Sequence, residues 1–174
     1  MRVRFPRLPD HERAYALVER DDGAVYRLYG GLAGARLPHE IVDFVVEREL
    51  GIGDGIWGAI AAGLVPDSQQ GLRAALLADL VECVAGLDHP SDTQILTLAA
   101  TKLTAADAAV EPAEIAAAAQ ALQVEAARWA RLRVGEELSY DWPRAARAAQ
   151  ARRARVRKPR IVRSYRKREG RGPA

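Results

Sequence analysis

Leu138, Tyr140 and Trp142 alternate with Ser139 and Asp141 just before Pro143, at the far end of a long helical stretch. Alternation with period two marks a half-buried strand, and its apolar face must be covered by something. The first thirty residues supply the partner. Arg13 to Arg20 and Ala24 to Gly30 are β-compatible runs separated by Asp21-Asp22-Gly23, a turn whose glycine can take positive φ, so they predict a hairpin. Val3 to Leu8 predicts an edge strand, where Pro6 and Pro9 are tolerated because no ladder hydrogen bond is required of them. The fold class that follows is α+β: an N-terminal antiparallel hairpin or small sheet packed on a mainly helical domain, closed by a short C-terminal strand.

The middle of the chain carries helical punctuation. Pro38 suits a first helical turn, Glu40 and Asp43 favour its positive end, and Ile41, Phe44 and Val45 give an apolar face, so a helix is predicted from about Pro38 to Leu50, stopped by Gly51 and Gly53. Asp54 is placed to cap a second, short helix that ends at Gly63. Leu72, Leu76, Leu80, Val84 and Leu87 form a stripe over a predicted helix from Gln70 to Leu87. Ser91 with Gln94 reads as a capping box ahead of Ile95, Leu98 and Leu103. The longest helix is predicted from Pro112 to Val134, with Ile115, Ala119, Leu122, Ala126 and Trp129 on its buried side.

A length of 174 residues with 49% hydrophobic and 28% charged residues suits one globular domain rather than a disordered chain. The most apolar run, Leu50 to Val65, is 16 residues long and contains Asp54, too short and too polar to span a bilayer. The basic start leads into Pro9 and Asp10 rather than a hydrophobic signal segment, so the expected setting is cytoplasmic. Cys83 is the only cysteine, which excludes an internal disulfide and a multi-cysteine zinc site; its helix position predicts a buried, inert thiol.

Charge is divided sharply. Residues 1–143, the expected domain, hold 13 Lys and Arg against 22 Asp and Glu, a net of −9; residues 144–174 hold 13 against the single Glu169, a net of +12. Arg152, Arg153, Arg155, Arg157, Lys158, Arg160, Arg163, Arg166, Lys167 and Arg168 crowd this tail, with Tyr165 available to stack on a base or sugar. Arginine suits phosphate, and a cluster of one sign releases the counterions of a polyanion on binding. With few large apolar residues to bury, the tail is expected to be disordered by itself. The function class this favours is a binding or interaction module that contacts a polyanion, nucleic acid first, without sequence specificity. No cofactor is implied.

A second chemistry sits on the first predicted helix. His39, Asp43 and Glu47 follow one another at i, i+4, so one imidazole and two carboxylates share a face that could hold a metal and support a hydrolase. The segment begins as HExxH would, yet Asp43 replaces the second His, and the two-imidazole geometry of a zinc protease is absent. The bland reading is a solvated acidic stripe beside Arg36 and Arg48. Gly51, Gly53, Gly55, Gly58 and Gly63 match neither phosphate-binding glycine pattern and point to close helix packing, with Trp57 a core anchor.

The stretch Leu37-Pro38-His39-Glu40-Ile41-Val42-Asp43-Phe44-Val45-Val46-Glu47, followed by Gly55-Ile56-Trp57-Gly58-Ala59-Ile60-Ala61-Ala62-Gly63, resembles a family of small uncharacterised actinobacterial proteins with an LPHDLVHFVVE helix and a GFWG-x-x-AAG segment. The resemblance implies that His39, Glu47, Trp57, Gly58 and Gly63 occupy motif positions. Glu40 stands where that pattern has Asp, and Asp43 where it has a second His, which lowers the affinity expected for zinc.

Overall fold

The computed structural model describes residues 1–64, 68–103 and 110–143. Three strands come first, β1 (Arg2–Pro6), β2 (Arg13–Glu19) and β3 (Val25–Leu32). Five helices follow, α1 (His39–Glu49), α2 (Ile56–Ala61), α3 (Ser68–Ala85), α4 (Asp92–Lys102) and α5 (Pro112–Arg131), and β4 (Glu137–Asp141) ends the described chain. The expected tail, 144–174, lies outside the described residues.

The four strands form one antiparallel sheet in the order β3-β2-β1-β4. The hairpin turns where expected, with Gly23 at φ 87° and the Asp22 side chain accepting from the Ala24 N–H at 3.2 Å. β4 returns to the N-terminal sheet as its alternation requires, pairing Val3 with Tyr140 and Phe5 with Leu138. That return corrects one expectation: β1 is an interior strand, bonded to β2 on one side and β4 on the other, and not an edge. The prolines allow this because Pro6 is the last residue of the strand and Pro9 lies beyond it.

One sheet face is apolar, carrying Val3, Phe5, Ala16, Val18, Leu138 and Tyr140, and it belongs to the same core as the buried residues of the helices. Phe44 of α1 is the hub. Its ring lies 5.3 Å from Trp57 and Trp142 and 5.8 Å from Phe5, all edge to face, and 5.3 Å from Tyr140 in a tilted stack. Such pairs add roughly 0.5 to 1.5 kcal/mol each beyond the area they bury.

Behind this cluster α1, α3 and α5 pack mutually. Gly51 at φ 62° turns the chain out of α1, and the Ser91–Gln94 capping box opens α4 as read from sequence. Two helical faces differ from expectation. On α3 the buried side chains are Ala74, Leu77, Ala78, Leu80, Val81 and Val84, whereas Leu72 is exposed and Leu87 lies past the helix end, also exposed. Leu80 and Val84 of the expected stripe are kept, and Ala74, Leu77, Ala78 and Val81 complete the inward face. On α5, Glu125 is buried where Ala126 was expected, and Ala126 faces out. Cys83, expected to be buried, is exposed on α3. Among the described residues, no helix is long and apolar enough to cross a membrane.

Candidate functional site

The helix α1 presents His39, Asp43 and Glu47 along one side, but only two of them meet. His39 Nε2 lies 4.0 Å from Asp43 Oδ1, with the imidazole half exposed and the carboxylate largely covered. Burial pushes the Asp43 carboxyl up to about 6, against the pull of His39 and with the like charges of Glu40, Glu82 and Asp79 adding. His39 also lines a cavity of about 440 Å³ beside the start of α1, together with Leu32, Arg36, Leu37 and Glu40.

Glu47 is used differently. It is 1% exposed, and its Oε2 accepts from the backbone N–H groups of Trp57 at 2.9 Å and Gly58 at 3.1 Å. These are two of the N–H groups that the first turn of α2 leaves without intrahelical partners. Glu47 therefore caps α2 from a distance, in place of Asp54; the local N-cap position is Gly55, which has no side chain to offer. A Cβ at Gly55 would overlap the Glu47 carboxylate, and one at Gly58 would overlap the backbone of Gly53. Trp57 closes the joint: its indole Nε1 donates to Glu40 O at 3.2 Å and its ring is 1% exposed. Burial pushes the Glu47 carboxyl up to about 8, opposed by its N–H partners on α2 and assisted by the Asp43 charge. Glu47, Gly55, Trp57 and Gly58 thus form a lock between α1 and α2. Among the described residues no group of three or more His, Cys, Asp or Glu side chains is placed to hold a metal ion.

Two further polar constellations escaped the sequence reading. Glu125, 6% exposed, accepts from the Tyr140 hydroxyl at 2.5 Å and from Arg128 through both its oxygens at 2.9 and 3.0 Å. Burial raises the Tyr140 phenol well above its usual range, and the Glu125 charge adds to the rise. The spacing of Glu125 and Arg128 was the available signal, since i, i+3 neighbours share a helix face.

The other constellation lies on the sheet face turned away from the helices. Tyr15 pairs directly with Tyr29, ring centroids 6.1 Å apart and edge to face. Arg13 sits 5.1 Å over the Tyr29 ring and Arg27 4.8 Å over the Tyr15 ring. The sequence carries the signal twice, as Arg13-Ala14-Tyr15 and Arg27-Leu28-Tyr29: residues two apart on a strand share a face, and antiparallel pairing crosses each arginine to the other strand's tyrosine. Nearer β4 the same face is charge-balanced. Arg4 pairs with Glu19 and Glu137, and Arg2 with Asp141.

The basic residues read as phosphate contacts, Arg152, Arg153, Arg155, Arg157, Lys158, Arg160, Arg163, Arg166, Lys167 and Arg168, lie outside the described residues together with Tyr165. Comparison with family models, with curated proteins and with solved structures gives no match.

Proposed function

We propose that the chain is a nucleic-acid-binding module, not an enzyme, whose arginine-rich segment from Arg152 to Arg168 neutralises phosphates without reading sequence. The observation that carries the reading is the partition of charge, −9 over residues 1–143 and +12 over residues 144–174. A body of net negative charge repels phosphates overall, so the main affinity for a polyanion is assigned to the basic segment. The use of Glu47 as a helix cap supports the same choice, because it takes one of the three ligands away from the metal-hydrolase alternative. A cytoplasmic setting fits such a partner. The likeness of the α1–α2 lock to the actinobacterial helix motif is retained as a proposal of kinship that assigns no activity.

Salt dependence tests the reading. Each phosphate engaged contributes about −0.9 to the slope of log affinity against log salt on duplex DNA, so a third to a half of the basic residues between Arg152 and Arg168 give a slope of roughly −3 to −5. Deleting the residues after Ala151 is expected to abolish that binding and leave the thermal midpoint unchanged. A full-length protein that binds neither DNA nor RNA at about 50 mM salt, where phosphate contacts are strongest, would overturn it.

A further inference from the structure

We infer that the outward face of β2 and β3 is a stacking platform for the bases of a single-stranded nucleic acid. The inference rests on the preceding section for the class of ligand, and adds a second surface and a strand preference. Tyr29 is half exposed on the edge strand, and Val25 and Leu32, which pair with Glu19 and Arg13 on the same face, are exposed too. Tyr15 and Tyr29 adjoin at 6.1 Å, edge to face, so a strand crossing this face meets two aromatic side chains in succession.

Charge separates this half of the face from the other. Arg2 and Arg4 are matched by Asp141, Glu19 and Glu137, whereas among the described residues no carboxylate pairs with Arg13 or Arg27. Both guanidinium groups instead lie over tyrosine rings, with Arg13 Nε also donating to Gly30 O at 3.5 Å, so two positive charges not neutralised by a carboxylate stand beside the aromatic side chains. Aromatic rings with arginines alongside match a backbone that carries a negative charge for every base. Duplex is the wrong partner, because its bases are already stacked inside the helix and offer the rings nothing. A protein edge adding to β3 fits less well, since unpaired arginine on the strand works against apolar association and a register irregularity opposite Arg13 and Tyr15 breaks the ladder.

The test uses the full chain and labelled twelve-nucleotide oligo(U), oligo(dT) and a twelve-base-pair duplex, measured by fluorescence anisotropy over a range of salt. Tyr29→Ala is expected to weaken single-strand binding at least fivefold, the lower end for one lost base stack. It should leave the duplex affinity and the salt slope unchanged, and Tyr29→Phe should restore the loss. Arg27→Gln should make the single-strand slope shallower by about 0.7, one phosphate contact.

The two proposals fail separately. Equal binding of both single strands by wild type and Tyr29→Ala, with a slope that disappears on deletion after Ala151, would overturn the platform and keep the basic segment. Tyr29-dependent single-strand binding that survives the deletion would do the reverse. A concentration-dependent dimer dissolved by Tyr29→Ala, with oligonucleotide binding unaltered, would give the face to a second copy of the chain and overturn the platform. Should Tyr29→Ala lower the thermal midpoint, Arg27→Gln decides: an unchanged single-strand slope in that variant also overturns it.

Discussion

A single carboxylate shows how environment decides the role of a residue. Glu47 lies on the same helical side as His39 and Asp43, yet burial against α2 turns it into the anchor for two backbone N–H groups. Its carboxyl is raised from an ordinary 4.5 to about 8, so the folded protein binds a proton that the unfolded chain releases between those values. Stability from this group is therefore complete below about pH 4.5 and lost as pH rises through 8, a change of roughly 3 to 5 kcal/mol by linkage. Glu47→Gln keeps an acceptor for α2 and removes the charge. Denaturation midpoints of this variant between pH 6 and 8 are expected to be flat where those of wild type fall, and parallel curves would refute the assignment. Trp57→Ala removes the indole bond to Glu40 and the ring contacts with Phe5 and Phe44, and should cost about 3 to 5 kcal/mol, read as a lower urea midpoint.

Elements were legible in the sequence where one local signal determined them. The Gly23 turn, the Ser91–Gln94 capping box and the Leu138-Tyr140-Trp142 alternation each depend on neighbours in the chain, and each appears as read. What stayed hidden depends on distant neighbours. The interior place of β1 follows from β4 arriving on its free side, which no property of Val3 to Leu8 encodes. The inward face of α3 keeps Leu80 and Val84 from the recurring stripe but turns to bury Ala74, Leu77, Ala78 and Val81 in place of Leu72 and Leu87, a choice that depends on where the other helices lie. The candidate site divided in the same way: the helical spacing of His39 and Asp43 gave a real pair, while the distant capping role of Glu47 required knowing where α2 would lie. β4 itself offers the element-scale prediction. Truncation before Gly135 removes the strand that pairs along β1 together with buried Tyr140 and Trp142, so cooperative thermal unfolding should be lost; an intact transition by circular dichroism would disprove the closing role.

Across the whole molecule, the two faces of one sheet differ: among the described residues, helices cover one side, and none covers the other, which carries Tyr15, Tyr29, Arg13 and Arg27. The sheet is also where the two ends of the described chain meet, the Trp142 N–H donating to Met1 O at 2.8 Å. That contact has a consequence for synthesis. A growing chain makes β1 first and β4 last among the strands, so the ladder on one side of β1 stays bare while all five helices are being made. Contacts this distant in sequence are slow to form, and an unpaired strand beside exposed aromatic side chains invites pairing with another chain. Every nascent chain that stops short of Trp142 therefore carries an open β-edge, and release from that hazard comes only when the final strand docks.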